Sequence, residues 1–221
     1  MTSLSDIDFS KHLQFLEILR LKALHDLELL TPGEEEFYNR FTRLAHEVLH
    51  VPVSLISMVA DDYQYFKSEF GMEEPLKSQR QTPISHSFCE HIISTGQPLI
   101  IDNTRENPLV WESPAIQDYN IQAYLGLPLT LVDGSTLGSF CAIDHQPHEW
   151  DELDTAIMRH LSQIISNEFN ARRKIYINPA ARPELEELHA SIIALIDGLN
   201  PSLPRDRFLD QLRAARRRHR I

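Results

Sequence analysis

The sequence predicts an α+β fold, in which an antiparallel β-sheet is flanked by helices and followed by a further helical segment. Two hairpins indicate the sheet. The first covers residues 53–70, which are rich in β-branched and aromatic residues, and the second covers residues 121–144. The second hairpin turns at Asp133-Gly134, a frequent two-residue turn signal. On both sides of the sheet region, apolar residues recur at three- to four-residue spacing, which is typical of amphipathic helices.

The composition is that of a globular protein with a full core. The chain has 221 residues, of which 42% are hydrophobic and 24% charged. No apolar run approaches the roughly 20 residues needed to span a bilayer, and the N-terminus lacks the basic start of a secretory signal. We therefore expect a cytoplasmic protein with no membrane partner. Two cysteines do not make a disulfide framework, and we expect both as reduced thiols.

Charge is distributed unevenly along the chain. The net charge of −11 argues against nucleic acid as a partner. Residues 201–221, however, carry seven arginines against two aspartates, a net charge of +5, so residues 1–200 carry −16. This asymmetry predicts that the basic segment docks on an acidic protein partner, for which the body of a second subunit is one candidate.

The first predicted helix covers residues 5–30. Its apolar stripe is wider than one core contact needs, and it includes Leu13, Leu16, Ile18, Leu24 and Leu27. Two interpretations stay open: the stripe covers the sheet, or part of it meets a dimer partner. A second helix is expected to open at Pro32, with three glutamates, residues 34–36, in its first turn, where the helix dipole favours acids.

The first hairpin predicts which side chains share a face. Strict alternation places Tyr65, Lys67 and Glu69 on one face, and the three residues Phe66, Ser68 and Phe70 on the other. Residues 71–86 show no period and contain Gly71, Pro75 and Pro83, so we expect a loop there.

Residues 85–144 combine small polar turns with apolar runs. We expect a short helix over residues 87–95, capped by a nearby Ser or Thr hydroxyl, and then a buried strand over residues 98–102. The strand from Thr136 to Asp144 carries small residues that leave room beside the backbone, as a pocket requires.

The C-terminal part is predicted to be helical. Asp151 should cap a long helix that runs to about Ile175. Two prolines interrupt the pattern before a helix over residues 184–199, and a final basic amphipathic helix follows Pro204.

Taken together, these segments resemble the GAF domain family, small-molecule sensor domains common in bacterial signalling. The resemblance covers about residues 20–170. It rests on the order of several short motifs: residues 24–32, Ser87-Phe88-Cys89, Tyr124-Leu125-Gly126-Leu127-Pro128-Leu129 and Gly138-Ser139-Phe140-Cys141-Ala142-Ile143-Asp144. It implies a PAS-related antiparallel sheet with helices on one face and a pocket-forming helix and loop layer on the other. The domain would cover residues 1–175, with a basic helical extension over residues 176–221.

The resemblance also implies a ligand site between the sheet and residues 72–120. Aromatic side chains would stack on the ligand, and Ser and Asp would bond its polar edge. The expected ligand-binding residues are Phe66, Ser68, Ser87, Phe88, Cys89, Asp102, Tyr124, Ser139 and Cys141. The alternative is that they fill an ordinary core, because the fold is often used for dimerisation.

Cys89 is the main candidate for a catalytic residue, because the pKa of a thiol near the start of a helix is lowered and the thiol becomes more reactive. A catalytic Cys sits at a comparable position in the similar free-methionine sulfoxide reductases. Those enzymes resolve the oxidised thiol with loop cysteines, and residues 66–83 contain none here, so Cys141 would have to serve. The alternative is a packed, inert thiol.

Two other readings of Cys89 are weaker. A zinc set built from both cysteines with His86, His91 and His145 has loose spacing, so we expect no metal site. Phytochrome-type GAF domains attach bilin at a Cys-His pair, whereas Glu90 follows Cys89 here, so covalent attachment is not expected.

The resulting expectation is a non-catalytic regulatory protein. It would form a homodimer through its flanking helices, bind a small molecule or a partner, and signal through helix packing, with the ligand's identity left open. The alternative is a thiol-dependent reductase that uses Cys89.

Overall fold

A six-stranded antiparallel sheet forms the centre of the molecule. The computed structural model describes residues 9–31, 36–219 and 221. The strands are β1 (Val53–Val59), β2 (Tyr63–Phe70), β3 (Gln81–Pro83), β4 (Leu99–Ile101), β5 (Ala123–Thr130) and β6 (Thr136–Asp144), in the sheet order β3-β2-β1-β6-β5-β4. The two predicted hairpins are thus confirmed, and their first strands are separated in the sheet by β6.

Eight α-helices surround the sheet in the described part of the chain. They are α1 (Phe9–Asp26), α2 (Glu36–Leu49), α3 (Leu76–Gln79), α4 (Cys89–Thr95), α5 (Ala115–Asp118), α6 (Glu152–Ile177), α7 (Arg182–Asp197) and α8 (Arg205–His219). The predicted helix starts at residues 5–8 and at Pro32 lie outside the described residues. No described helix is both long and apolar enough to cross a membrane.

The helices α1, α2, α6, α7 and α8 close one face of the sheet. A continuous core joins them to strand residues that point to this side, such as Ile56 on β1, Leu125 on β5 and Phe140 on β6. The C-terminal helices belong to the same core, because Ile192 of α7 and Phe208 of α8 are fully buried in it. The boundary expected at residue 175 falls within the last turn of α6.

A buried polar cluster connects α7 to α2 and α6 in the helical layer. The Glu168 carboxylate of α6 accepts hydrogen bonds from Tyr38 of α2 (2.7 Å), from Arg172, and from His189 of α7 (2.9 Å). Burial alone raises the pKa of the Glu168 carboxyl, but these three partners outweigh it and hold the pKa below its ordinary value. A buried carboxylate is stable only when it is paired in this way, so α2, α6 and α7 are held together at one point.

The start of α6 is fixed as predicted. Asp151 accepts hydrogen bonds from the backbone N–H groups of Leu153 and Asp154, and the Asp154 carboxylate bonds back to the Asp151 backbone. Arg205, at the start of α8, binds both aspartates. The basic helix is therefore anchored to the acidic beginning of α6.

Strict alternation on β2 is interrupted, which corrects the predicted faces. The β1–β2 register shifts between Ile56 and Ser57, so two neighbouring β2 residues fall on the same side. Lys67 reaches the Glu28 carbonyl, and Ser68 bonds Asn39 and Thr42 beside α2. Both therefore face the helices, and Phe66 points away from Ser68 instead of sharing its face.

The segment expected as a loop, residues 71–86, holds short elements. It contains α3, a 3₁₀ turn and the edge strand β3, which pairs with β2 from Tyr63 to Tyr65. The expected side-chain cap of the next helix is also absent, because α4 begins after Phe88 without a side-chain hydrogen bond. Ser87 donates its hydroxyl to Gln64 instead.

Candidate functional site

A cavity of about 450 Å³ opens on the face of the sheet that the long helices leave free. Its wall is formed by β1, β2, β5 and β6, through residues such as Leu55, Phe66 and Cys141. The start of α4 covers one side, and residues 71–76 and 117–121 form the mouth. Its size falls within the range of small-molecule sites, which are mostly apolar with a few placed polar groups.

The structure brings most of the predicted ligand-binding residues together. Five of them line the cavity: Phe66, Phe88, Cys89, Tyr124 and Cys141. Ser87 and Ser139 stand directly behind the wall, where each hydroxyl bonds a lining side chain.

Two predicted residues lie elsewhere. Ser68 is turned to α2 by the shift in β2 register. Asp102 follows Ile101, whose side chain points to the cavity side, and therefore projects the opposite way. Its carboxylate is exposed and accepts the Trp150 backbone N–H (3.1 Å), which orders the turn before α6.

Cys89 lies at the centre of a small polar group in the apolar wall. The Ser139 hydroxyl donates to the Cys89 sulfur (2.9 Å), and the Tyr124 hydroxyl lies 3.4 Å from it. Hydrogen bonding with the neighbouring Cys141 thiol, supported by Ser139, Tyr124 and Ser57, outweighs burial and lowers the pKa of Cys89 to about 6. Hydrogen bonding with Cys89 and burial raise the pKa of Cys141 well above its ordinary value, and the Cys141 thiol donates to the Leu55 carbonyl (3.6 Å).

Tyr124 reaches Cys89 because of a glycine two residues further along β5. A Cβ on Gly126 would meet the Tyr124 hydroxyl at 2.5 Å and Ile92 of α4 at 2.6 Å. The Tyr124 side chain therefore lies along its own strand, under α4, and packs edge-on against Phe88 with ring centroids 5.4 Å apart. Burial raises the pKa of Tyr124 well above its ordinary value, so the hydroxyl keeps its proton.

The polar end of the cavity contains residues that the sequence did not single out. Gln64 is buried, and its side-chain carbonyl accepts hydrogen bonds from Ser87 (2.6 Å) and Ser57 (3.3 Å). Thr82, on the unpredicted strand β3, is also buried, and its hydroxyl has no hydrogen-bond partner. The only signal for Gln64 was its position in the first hairpin; Thr82 lay in a segment without a pattern.

Two of the three histidines considered for a metal have other partners at the mouth. The His86 ring contacts the Asp118 carboxylate (3.0 Å), and His145 contacts the Asn120 carbonyl (2.9 Å). Within residues 9–31, 36–219 and 221, no group of three or more His, Cys, Asp or Glu side chains is placed to hold a metal ion.

Sheet order, the helical layer on one face and the cavity on the other define an α+β domain of the sensory type. The family model of the GAF domain matches residues 34–169, and the chain belongs to the GAF domain family. The predicted fold class and family are thereby confirmed.

Three known proteins are similar to this chain. It is 31% identical over 153 residues to a cyclic di-GMP phosphodiesterase of Pseudomonas aeruginosa, a match that covers 66% of this chain but about a quarter (24%) of that protein's length. The blue-light absorbing form of the Thermosynechococcus elongatus PixJ GAF domain superposes with a TM-score of 0.54 at 14% identity, covering 73% of this chain and 95% of that one. Free methionine-R-sulfoxide reductase from Neisseria meningitidis superposes with a TM-score of 0.52 at 15% identity, covering 72% and 92%. At such identities the two structures show the fold alone.

Proposed function

We propose that this chain is a non-catalytic regulatory module that binds a small molecule in the cavity and transmits binding to its flanking helices. The observation that carries the proposal is that the same strands serve both faces. On β6, Cys141 lines the cavity, while the adjacent Phe140 is fully buried under the helices. A ligand that shifts β6 must therefore disturb the helical core, which supplies the differential contact that a population shift requires.

A second link runs through α1. The Arg20 guanidinium is buried and donates to the Val59 carbonyl at the end of β1, the strand whose Val53 and Leu55 line the cavity. Lys22, two residues further along α1, contacts Tyr176 at the end of α6 (3.4 Å). Movement of β1 can thus reach both the first helix and the last turn of α6.

The outer side of α1 supports a homodimer as part of this proposal. Five large apolar residues on this helix are between 44% and 62% exposed: Leu13, Phe15, Leu16, Ile18 and Leu19. A continuous exposed apolar stripe is typical of an interaction surface, and a second copy of the same helix would cover it. The exposed arginines of α8 would serve a separate acidic partner.

The relationship to the cyclic di-GMP phosphodiesterase fits the same proposal. The match covers about a quarter of that protein. In this chain, the family model matches residues 34–169, which contain the sheet and the cavity. We therefore propose a regulatory role for this chain, and not the hydrolysis of cyclic di-GMP named for the relative.

A ligand screen followed by hydrogen exchange tests the proposal. Small metabolites would be screened by thermal shift against the wild type, the Met72→Trp variant, which narrows the mouth, and Val132→Trp as an exposed control. A ligand at 100 times its Kd should stabilise the wild type and the control by about 2.7 kcal/mol, and Met72→Trp much less. Amide exchange in α1 and α6 should change on binding. If a ligand binds without changing these helices, the proposed signalling is wrong, and if nothing binds, the sensory role is wrong.

The lowered pKa of Cys89 favours one second candidate, a thiol-dependent reductase. The Cys89 thiolate would attack the sulfur of a free methionine sulfoxide and take its oxygen, releasing methionine and leaving Cys89 as a sulfenic acid. The Cys141 thiol would then displace water to form a disulfide, which an external dithiol would reduce. Turnover of methionine sulfoxide with dithiothreitol, abolished in Cys89→Ser, would establish this activity, whereas unchanged ligand binding by Cys89→Ser and no turnover by the wild type would support the sensor.

A further inference from the structure

The charge of the cavity is the feature that restricts its ligand. The mouth carries the carboxylates of Glu73, Glu74 and Asp118 and the imidazoles of His86 and His145, and His86 contacts Asp118. No Lys or Arg is among the residues that line the cavity in the described chain. Protein sites for phosphate or carboxylate ligands are usually built with Arg or Lys forks, because those groups match the charge and the oxygen geometry.

Two cationic side chains on neighbouring elements are directed elsewhere. Arg80, at the edge of β3, donates to the backbone carbonyls of Phe66 (3.1 Å) and Lys67 (2.9 Å). Lys67 itself lies on the helical side, where its ammonium reaches the Glu28 carbonyl (3.2 Å). The basic helix α8 packs against α6, on the opposite face of the sheet.

The interior of the cavity suits a flat apolar body. Four aromatic rings contribute to its wall, those of Phe66, Phe88, Tyr119 and Tyr124. Aromatic faces attract planar rings by stacking and attract cations through the ring quadrupole.

Two polar groups define what the ligand must offer. The Gln64 carbonyl is taken by Ser57 and Ser87, so its amide N–H groups are the part left to donate. The buried Thr82 hydroxyl in the same wall has no partner, a costly state that a ligand atom would relieve. An acceptor on the ligand would satisfy the Gln64 N–H groups, and a ring N–H would satisfy the Thr82 hydroxyl, which can accept as well as donate.

We propose, on the basis of the ligand-binding role above, that the cavity takes a neutral or positively charged small molecule with a planar apolar ring and rejects phosphorylated and carboxylated ligands. The acidic mouth repels anions, the aromatic wall holds the ring, the Thr82 hydroxyl bonds a ring N–H, and the Gln64 amide donates to an acceptor where the ligand has one. Nucleotides, cyclic ones included, fall in the rejected class.

Three probes that share one ring and differ in charge test this directly: neutral indole, cationic tryptamine and anionic indole-3-acetate. Each is titrated calorimetrically at 20 mM and at 500 mM NaCl. Tryptamine should bind at least tenfold more tightly than indole-3-acetate at low salt, with indole between them. High salt should shrink the gap between the charged probes and leave indole unchanged, because salt screens charges and not ring contacts.

Matched variants locate the effect at the mouth. The double variant Glu73→Gln/Glu74→Gln removes two exposed charges and should reduce the preference for tryptamine over indole-3-acetate several-fold. The control, Glu186→Gln/Glu187→Gln, makes the same charge change on the exposed side of α7 and should leave the preference unchanged. Thr82→Val, which keeps the side-chain shape, should weaken indole binding without altering the charge preference.

Two outcomes overturn the proposed ligand class. If indole-3-acetate binds as tightly as tryptamine or tighter, the cavity selects anions, while the sensory role stands. If none of the three probes binds, the ligand class is also wrong, and the thermal-shift screen decides separately whether the cavity binds any molecule.

Discussion

The two faces of the sheet are built from alternate residues of the same strands, yet they are filled to different degrees. The helical face is a closed core that extends from Leu24 of α1 to Leu212 of α8. The other face is covered only by short helices and loops, and it keeps a cavity of about 450 Å³ bordered by Phe66 and Cys141. Residues on one side of a strand can therefore contribute to the stability of the fold, while residues on its other side line a binding cavity.

The largest expected effect tests whether the faces differ in packing. Phe140→Ala opens a void in the closed core and should lower the free energy of unfolding by about 3–5 kcal/mol. Phe66→Ala, equally buried, extends a cavity that already exists and should cost about 1–3 kcal/mol, mainly the lost transfer free energy. Urea denaturation of both variants measures the difference, and equal losses would show that the cavity side is packed as tightly as the helical side.

A smaller effect concerns the charge buried in the helical face. Glu168→Gln leaves Arg172 and His189 with a weaker acceptor and should cost about 2–4 kcal/mol at pH 7. Because the pKa of Glu168 is lower in the folded protein than its ordinary value of 4.5, its contribution is complete above that value. The contribution is then lost as the pH falls through the folded pKa.

Urea denaturation across pH 3–7 measures this dependence. The gap between wild type and Glu168→Gln should stay constant from pH 7 to about 5 and shrink below about 4.5. The control Glu186→Gln, on the exposed side of α7, should show almost no gap at any pH. A gap that widens in acid would mean that Glu168 is protonated in the native state.

The smallest effect concerns the anchor of α8. Arg205 binds Asp151 and the buried Asp154, but its own side chain is 37% exposed, so solvent screening limits the contribution to about 1 kcal/mol. Arg205→Ala should speed amide exchange over residues 205–219 and leave the cavity-lining strands unchanged. Arg207→Ala, exposed on the same helix, is the control, and similar exchange in both variants would show that the apolar contacts alone hold α8.

The sequence predicted the fold because its signals are local. Asp133-Gly134 marked a hairpin, and Asp151 marked a helix start; the structure contains both. Five cavity residues were predicted from the family resemblance, and the three on strands, Phe66, Tyr124 and Cys141, are turned to one side of the sheet.

The misplaced residues depend on information that no local pattern carries. Ser68 was assigned to the wrong face because one extra residue in β2 is invisible until β1 is paired with it. Asp102 was taken as a ligand group from the family resemblance, whereas its actual partner, the Trp150 backbone, lies 48 residues away in sequence. Thr82 was missed because β3 is three residues long and exists only as the edge partner of β2.

The position of α7 and α8 has a consequence for synthesis on the ribosome. All six strands and α6 emerge before Ile192 and Phe208, which complete the closed side of the sheet. Until then, the nascent chain exposes the apolar surface of α2 and α6 that these helices later cover. Chaperone binding should therefore concentrate on this surface and stop once α7 and α8 have been translated.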